Sequence, residues 1–286
     1  MVNYKIITDS GCDLPLAKLK EMDVATVPLY VNFKEQTRED TVESGIEEIY
    51  EGLRNGESAS TSAVNPARWA AAMEEALQQE QDVLVITFSS GLSTTYQSAV
   101  IAADELAEKY PQRKICVVDS LAASLGQGLL VWYACKKRDE GLSLQELAAW
   151  LEENRLHLCH WFTVDDLMYL KRGGRVSAAT AVMGTMLQIK PVLHVDDEGH
   201  LINVSKVRGR KASIEALAAK LAQAAEAFDN STVFICHGDC IEDAKYLEQL
   251  VRNAGAKEVF IGYTGAVIGS HSGPGTLALF FMGEKR

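Results

Sequence analysis

Hydroxyl-bearing side chains are concentrated in one short stretch, SSGLSTTYQ, which runs from Ser89 to Gln97. The stretch follows the apolar run Val83–Ile86 and precedes a helical pattern, so it lies where a buried strand leads into a helix. Serine and threonine are favoured N-cap residues, and capping is one interpretation of this composition. The first N–H groups of a helix also lack intrahelical partners and carry partial positive charge. Hydroxyls beside them can therefore form an anion site.

Related chemistry occurs at other predicted strand ends. The first strand ends in TDS at residues 8–10, and a later one ends in DS at 119–120. A further hydroxyl cluster, SASTS at 58–62, precedes the strand 83–88. Because ligands of open parallel sheets bind at the carboxyl ends of the strands, we expect these side chains to converge on one anion site. The sequence contains no GxxxxGK(S/T) loop and no GxGxxG after a strand. Composition alone does not distinguish a phosphate from a carboxylate.

A glycine-rich segment near the C-terminus supplies a candidate histidine. GSHSGPG, from Gly269 to Gly275, has His271 where a GxSxG nucleophile elbow would have serine. We expect His271 to lie in a loop that can approach a ligand closely. There it could donate a hydrogen bond or a positive charge to an anion, or simply be a surface histidine.

Two basic clusters stand out in this acidic chain. LKRGGRVS contains Lys171, Arg172 and Arg175, and KVRGRK contains Lys206, Arg208, Arg210 and Lys211. Such clusters are often solvated loops or helix ends. Their alternative role is contact with a phosphate-bearing ligand or an acidic partner.

Composition limits the classes of protein to consider. The chain has 286 residues, 47% of them hydrophobic, and a formal net charge of -11. The length allows one large domain or two small ones. The negative charge argues against nucleic acid or an anionic membrane surface as the main partner. The N-terminus shows no signal peptide, and no apolar run is long enough to span a bilayer, which predicts a cytoplasmic protein without stable membrane insertion.

The cysteines and histidines do not indicate a metal site. Six cysteines are scattered without a CxxC pair, as is typical of reduced cytoplasmic thiols. Two short clusters, 157–160 and 236–240, combine cysteine with histidine but lack the spacing that zinc prefers. We interpret them as buried thiols and polar groups at strand ends, and we predict no metal and no cofactor.

Strands and helices alternate through the N-terminal half, which predicts a parallel sheet covered on both faces. Strands are predicted at 4–8, 24–31, 83–88, 115–118, 161–162, 192–195, 201–204, 233–236 and 276–281. Helices are predicted at 13–21, 45–53, 67–77, 93–110, 121–138, 144–153, 164–171, 177–187, 211–228 and 239–253. Asp13 is the predicted N-cap of the first helix, and Pro28 makes 24–31 an edge strand. A domain boundary is expected near residue 160.

Motifs along nearly the whole chain resemble those of the DegV family, the fatty-acid-binding subunits of bacterial fatty acid kinases. They are ITDSGCDLP, VPL at 27–29, STS at 60–62, SSGLSTTYQSA, VVDSLAASLGQG at 117–128, LMYLKRGGRVS, KVRGRKA and IGSHSGPGTLALFF. Each motif alone is weak, and eight in order are specific.

The resemblance implies a two-domain α/β protein. Residues 1–160 would form an N-terminal three-layer domain around a parallel sheet, which supplies the loops that bind the carboxylate. Residues 161–286 would form a C-terminal α/β domain that encloses the acyl chain in a lipid tunnel. The implied partner is a DhaL-type fatty acid kinase subunit, which would bring ATP and metal.

The resemblance also assigns roles to individual residues. Thr61, Ser93 and His271 would bind the carboxylate of a long-chain fatty acid, with Ser62, Thr94, Ser272 and Arg172 completing the ligand-binding set. Arg175, Arg208 and Arg210 would contact the partner kinase. The protein would then be a lipid carrier and not itself an enzyme.

Two other functions fit some of the same residues. A serine hydrolase would use Ser93 as nucleophile and His271 as base, and it would need an oxyanion hole as well. A binder of a phosphosugar or another small anionic metabolite would hold a short polar ligand in place of an acyl chain.

Overall fold

The computed structural model describes residues 3–41, 45–177, 188–223 and 230–286. The strands are β1 Tyr4–Asp9, β2 Val24–Val27, β3 Tyr30–Phe33, β4 Gln36–Glu39, β5 Ser60–Ser62, β6 Asp82–Thr87, β7 Ile115–Asp119, β8 Leu158–Thr163, β9 Ile189–Val195, β10 Leu201–Arg208, β11 Thr232–His237, β12 Glu258–Tyr263 and β13 Leu277–Met282. The helices are α1 Leu16–Glu21, α2 Ile46–Arg54, α3 Pro66–Gln78, α4 Thr95–Lys109, α5 Leu125–Asp139, α6 Leu144–Asn154, α7 Met168–Arg172, α8 Arg210–Ala222, α9 Ile241–Asn253 and α10 Ala266–Ser272. Short 3-10 turns occupy Ser10–Cys12 and Arg155–His157.

Three sheets organise these elements. The first is a parallel sheet with the order β2-β1-β6-β7. The second has the order β10-β9-β8-β13-β11-β12, with antiparallel pairs throughout except for the parallel pair β11 and β12. The third is a small antiparallel sheet with the order β4-β3-β5. The chain therefore has the mixed α/β fold expected from its sequence, with a parallel sheet built from the N-terminal half.

Helix α5 packs between the two large sheets. Its buried residues lie on every side of the helix, so its hydrophobic residues do not form a single stripe. The core around it combines residues of the parallel sheet, such as Leu84 and Ile86, with residues of the second sheet, such as Phe234 and Phe280. One continuous apolar core therefore joins the N-terminal and C-terminal halves.

The outer faces of the two sheets are covered by other helices. Helices α3 and α4 pack on the far face of the parallel sheet, in a core that includes Trp69 and Val85. Helices α8 and α9 pack on the far face of the second sheet around Leu217 and Leu247. The predicted division into 1–160 and 161–286 stays a prediction, and position 160 lies inside strand β8.

Two predictions for the N-terminal half are wrong in detail. The predicted strand 24–31 is two strands, β2 and β3, in different sheets, and β2 lies at the edge of the parallel sheet. Pro28 lies between them, where its missing N–H removes no ladder hydrogen bond. Asp13 is not the cap of α1, because Pro15 occupies the N-cap position. The backbone of Asp13 instead adopts the left-handed conformation, with φ 52°. The buried Asp13 carboxylate accepts a hydrogen bond from Ser124.

The C-terminal half differs from expectation at its glycine-rich segment. The sequence predicts a loop around His271, whereas the structure forms helix α10 there. Strands β4, β5 and β12 were not predicted either. Residues 178–187 of the predicted helix 177–187 and residues 224–228 of the predicted helix 211–228 lie outside the described residues. Within the described ranges, no helix is both long and apolar enough to cross a membrane.

Candidate ligand-binding site

A cavity of about 450 Å³ lies among the elements of both halves of the chain. Much of its wall is apolar, and the lining side chains include Phe88, Phe162, Val195, Leu201 and Phe280. The polar lining residues are Thr61, Ser62, Ser90, Ser93, Thr94, Ser124, His160, Arg175, Cys236, Thr264, His271, Ser272 and Thr276. Such a cavity suits a mainly apolar ligand that carries few polar groups.

Thr61 and His271 meet in the wall of this cavity. The Thr61 Oγ1 atom lies 2.7 Å from the Nε2 atom of His271, although the two residues are 210 positions apart. Strand β5 places Thr61 opposite Val31 of the small sheet. His271 lies in the last turn of α10, whose helical conformation, and not a flexible loop, fixes the position of the imidazole.

Ser93 and Thr94 reach the same cavity from the segment between β6 and α4. The Ser93 Oγ atom lies 2.8 Å from Thr95 Oγ1 and accepts a hydrogen bond from the Thr95 N–H at 3.2 Å. The Thr94 side chain makes no capping hydrogen bond. Ser93 therefore does serve the helix N-terminus, as the capping interpretation requires, and it lines the cavity as well.

Arg175 adds a positive charge to the wall. Its guanidinium donates through Nη2 to the carbonyl oxygen of Leu92 at 3.0 Å. This bond ties the residues after α7 to the segment that carries Ser93. Burial, followed by the nearby charge of Arg175, lowers the pKa of His271 to about 4. The imidazole is therefore neutral at neutral pH, and Arg175 supplies the charge that would attract an anion.

Arg172 lies beside the main cavity and not in its wall. It lines an adjoining cavity of about 250 Å³, which shares Thr61, Arg175 and His271 with the main one. The Arg172 guanidinium is centred 4.5 Å from the centre of the Tyr169 ring. Of the seven predicted ligand residues, the structure thus brings six into the main cavity wall and places the seventh next to it.

The three predicted partner-binding arginines lie in different surroundings. Arg175 is part of the cavity wall, and Arg208 is exposed at the end of β10. Arg210 is half-buried, and its Nε atom donates to the Asp243 carboxylate at 2.8 Å. Their assignment to a partner surface stays a prediction.

Several lining residues were not singled out by the sequence analysis. The Ser124 Oγ and Thr264 Oγ1 atoms lie 3.2 and 3.1 Å from the Cys236 sulfur, and these three polar groups form one patch of the wall. His160 lines the wall from β8. Ser124 lies in the motif VVDSLAASLGQG. A serine that lines a cavity and a serine that only starts a helix look the same in the sequence, so the sequence analysis did not identify it.

We expect acidification to destabilise the ligand-free protein through His271. The folded-state pKa of about 4 is below the ordinary value of 6.5, so between these pH values the unfolded chain binds a proton that the folded chain does not. Stability therefore falls as the pH decreases from about 6.5 towards 4. The contribution between pH 7 and pH 5 is at most about 2 kcal/mol, reduced by solvent screening.

Urea unfolding of the wild type and His271→Gln at pH 7, 6 and 5 measures this effect. The wild type should lose more stability than the variant on acidification. The buried carboxyls of Asp9 and Asp40 have raised pKa values, so they stabilise the fold on acidification. Their effect is the same in both proteins and cancels in the difference between the two pH profiles. Parallel pH profiles for the two proteins would contradict the assignment.

Comparisons with known proteins agree with this architecture. The family model described as "Uncharacterised protein, DegV family" matches residues 3–284. A DegV domain-containing protein of Clostridium perfringens is 44% identical over 289 aligned residues, which cover 100% of this chain and 99% of that protein. The chain belongs to the DegV family.

Two solved structures share the fold over their full length. One is described as showing fatty acid binding of a DegV family protein from Thermus thermophilus. It is 34% identical, has a TM-score of 0.88, and the match covers 99% of this chain and 100% of that one. The other is a DegV lipid-binding protein from Thermotoga maritima, 30% identical with a TM-score of 0.85, and the match covers 100% of both chains.

Proposed function

We propose that this protein binds a long-chain fatty acid in its main cavity and presents the carboxylate to a partner kinase for phosphorylation to an acyl phosphate. The observation that carries the proposal is the cavity itself: a largely apolar space with the Thr61–His271 pair and the Ser93 hydroxyl in its wall. The relatives from Thermus thermophilus and Thermotoga maritima bind fatty acid and lipid respectively, which supports the same class of ligand here.

The apolar wall would supply most of the affinity. Burying ~15 methylene groups at ~0.8 kcal/mol each contributes roughly 12 kcal/mol before costs. Immobilising the ligand and the protein side chains removes several kcal/mol of this gain. The carboxylate opposes burial unless it is hydrogen-bonded, so the polar groups fix the direction of the ligand in the cavity.

The neutral state of His271 determines how the carboxylate can be held. If the His271 Nε2–H donates to Thr61 Oγ1, the Thr61 hydroxyl hydrogen is free to donate to a carboxylate oxygen. In the same way, a bond donated by Thr95 Oγ1 to Ser93 leaves the Ser93 hydroxyl hydrogen free. Two hydroxyl donors and the charge of Arg175 would then stabilise the anion.

Presentation to a DhaL-type kinase subunit is the part of the proposal that the resemblance suggests. Arg172 and Arg208 are exposed cations, and Arg172 lies beside the proposed carboxylate site. Guanidinium groups in such places suit contact with transferring phosphates or with acidic groups of a partner. In this scheme the kinase supplies ATP and metal, and the present chain is the carrier. All six cysteines are free, in keeping with a cytoplasmic setting.

The geometry supports a serine hydrolase less well. A nucleophilic serine needs a general base within hydrogen-bond reach. Among the described residues, Ser93 Oγ bonds to Thr95, whereas the Nε2 atom of His271 bonds to Thr61. The His271 imidazole therefore hydrogen-bonds to the Thr61 hydroxyl and not to Ser93.

Organic extraction of the purified protein followed by mass spectrometry tests ligand binding. We expect about one fatty acid per chain. Ser93→Ala should retain less and stay folded, with a loss of only about 1 kcal/mol of stability from the missing cap at Thr95. A protein that is recovered empty and ignores added fatty acid would overturn the proposal. Phosphorylation is tested separately, by incubating the loaded protein with a DhaL-type kinase and ATP and measuring acyl phosphate as the hydroxamate. Failure of that step alone would leave a fatty-acid-binding protein without the kinase role.

The close approach of Gly173 to His271 gives a second test. A Cβ atom added at Gly173 would lie 2.2 Å from the His271 Nδ1 atom, so Gly173→Ala must displace the imidazole from Thr61. Losing this anchored donor should weaken fatty-acid binding by about 10- to 100-fold, which isothermal titration calorimetry can measure.

The neighbouring Gly174 is the matched control. A Cβ atom there meets nothing within 4 Å, but the residue has φ +72°. Gly174→Ala should therefore cost about 1 kcal/mol of stability through backbone strain and leave the affinity nearly unchanged. Equal losses of affinity in the two variants would show that His271 is not the cause.

A further inference from the structure

Helix α10, which carries His271, begins without a capping side chain of its own. Its N-cap position is Gly265, and the first residues of the helix are buried. A Cβ atom added at Gly265 would lie 2.3 Å from the Asp13 Oδ1 atom, so a serine, threonine or aspartate cap has no room there. The first N–H groups of a buried helix still need acceptors. The acceptor for α10 therefore comes from another part of the chain.

That acceptor is the Asp40 carboxylate, which follows strand β4 and is buried. The Val267 N–H, 227 positions away, donates to the Asp40 Oδ1 atom at 3.3 Å, and the Ala266 N–H bonds to the same carboxylate. Burial raises the pKa of Asp40 to about 6, although these hydrogen bonds oppose the shift. Asp40 is therefore ionised at neutral pH, and a negative charge at the positive end of a helix is favourable.

Hydrogen bonds on its other side fix the orientation of the Asp40 carboxylate. The Ser10 Oγ atom donates to Asp40 Oδ2 at 3.0 Å, and the Leu29 N–H donates to Ser10 Oγ at 3.0 Å. The Asp40 N–H donates in turn to the carbonyl oxygen of Leu29 at 2.8 Å. These three residues form a closed ring of hydrogen bonds between the small sheet and the end of β1. A carboxylate bonded through both oxygens is a fixed support for the helix.

The small sheet therefore holds α10 at both ends. Strands β4 and β5 pair with opposite edges of β3, and Asp40 follows β4 whereas Thr61 lies on β5. Val267 lies in the first turn of α10, and His271, which bonds to Thr61, is about one helical turn further on. Because the helix has only 7 residues, a shift of its first turn moves His271 as well.

We propose that Asp40 is a positioning residue of the fatty-acid site, which fixes α10 so that His271 meets Thr61 and the carboxylate donors keep their arrangement. This inference rests on the proposed function. Asp40 is not among the described residues that line the main cavity, so it acts on the ligand only through the helix. Its removal should weaken recognition of the carboxylate and spare burial of the acyl chain.

Binding of a long-chain fatty acid and of the alcohol of equal chain length to delipidated protein separates these two effects. Both ligands bury the same chain, but only the acid has a carboxylate. In Asp40→Ala, titration calorimetry should show an affinity for the acid about tenfold below that of the wild type, with the affinity for the alcohol within about twofold. Asp40→Asn keeps an acceptor for the Val267 N–H and should recover most of the affinity for the acid.

Val251→Ala is the matched control for lost stability. Val251 is a fully buried residue of α9, on the far face of the second sheet and outside the cavity lining. Its truncation should lower the melting temperature and leave the ratio of acid to alcohol affinity unchanged. If Asp40→Ala does not fold, Ser10→Ala replaces it, because it removes the bond that orients the Asp40 carboxylate. That variant should lose about threefold in affinity for the acid alone.

The titration of His271 gives a readout that needs no ligand. In wild-type protein with ¹⁵N-labelled histidine, the His271 ring should titrate with a pKa of about 4, which burial and then the charge of Arg175 produce. In Asp40→Ala the displaced imidazole is better hydrated, so its pKa should rise towards 6.5. Loss of the negative charge of Asp40 would by itself lower this pKa, so an upward shift identifies displacement.

The outcomes separate the two proposals. Equal losses of affinity for acid and alcohol in a folded Asp40→Ala variant, or an unchanged affinity for the acid, would overturn the role of Asp40. A His271 pKa that stays at its wild-type value or falls would also overturn it. If the wild type binds neither ligand, the proposed function fails, and the His271 titration then decides alone whether Asp40 positions the imidazole.

Discussion

Replacing Ala278 with phenylalanine is expected to prevent the retention of long acyl chains while short-chain acids still bind. Ala278 lies on β13, is buried, and lines the main cavity between Thr276 and Phe280. A benzyl group there would occupy space that the acyl chain needs. Displacing about five methylene groups costs about 4 kcal/mol at ~0.8 kcal/mol each. The affinity for a long chain should therefore fall about a thousandfold.

The control for this experiment is the same substitution at Ala219, an exposed residue of α8 outside the cavity lining. Ala219→Phe should bind long and short acids like the wild type. Both variants are extracted, and the bound lipid is quantified by mass spectrometry before titration with long- and short-chain acids. Ala278→Phe carrying a normal load of long-chain fatty acid would place the acyl chain elsewhere. Loss of short-chain binding as well would mean that the carboxylate site is disturbed.

The parallel sheet and its covering helices were predictable because buried strands alternating with helices indicate one architecture, a parallel sheet covered on both faces. Strand β6 contains the continuous apolar run Val83–Ile86, which is the pattern of a strand buried on both faces, and β1 has Ile6 and Ile7 at its centre. Helices of ordinary length follow them, and a βαβ alternation leaves little choice of topology. The predicted and observed bounds of β6, α3 and α6 accordingly differ by at most one residue at each end.

The elements that escaped prediction lack such a pattern. Strands β4 and β5 are short and polar on both faces, and only pairing with β3 makes them strands. Helix α10 reads as a loop because it contains and adjoins glycines. Gly269 is needed there for close packing and not for a turn, since the Tyr50 hydroxyl occupies the space of its missing side chain.

Residue types alone indicated an anion site but not its full membership. The hydroxyl clusters predicted that strand ends would converge, and Ser93 does reach the cavity wall. The meeting of Thr61 with His271 depends on how the small sheet packs against α10, which no local pattern encodes. That pair came from the resemblance to the family. His160 belongs to the cluster 157–160, which the sequence analysis interprets as buried thiols and polar groups at strand ends, and no local pattern predicts that it lines the cavity.

The substitution Gly269→Ala is expected to destabilise the protein by about 2 kcal/mol, although alanine is the better helix former by about 1 kcal/mol. A Cβ atom at Gly269 would lie 2.4 Å from the Tyr50 Oη atom and 2.8 Å from Cζ. Tyr50 is 1% exposed, and its hydroxyl donates to the carbonyl oxygen of Thr264 at 2.8 Å, so the ring cannot move aside freely. Helix α10 must shift instead, and His271, two residues further on, shifts with it. Thermal melting should show a decrease of about 3 °C.

A double-mutant cycle with Tyr50→Phe isolates this contact. Tyr50→Phe alone should cost about 1–2 kcal/mol, because the Thr264 carbonyl loses its donor. In the double variant the nearest clashing atom is gone, so the combined loss should be smaller than the two single losses added, by about 1 kcal/mol. Fatty-acid affinity should recover in parallel, since the same relief lets α10 return His271 to Thr61. Strict additivity in stability, or lost affinity that does not recover, would show that the position of α10 is not set by Tyr50.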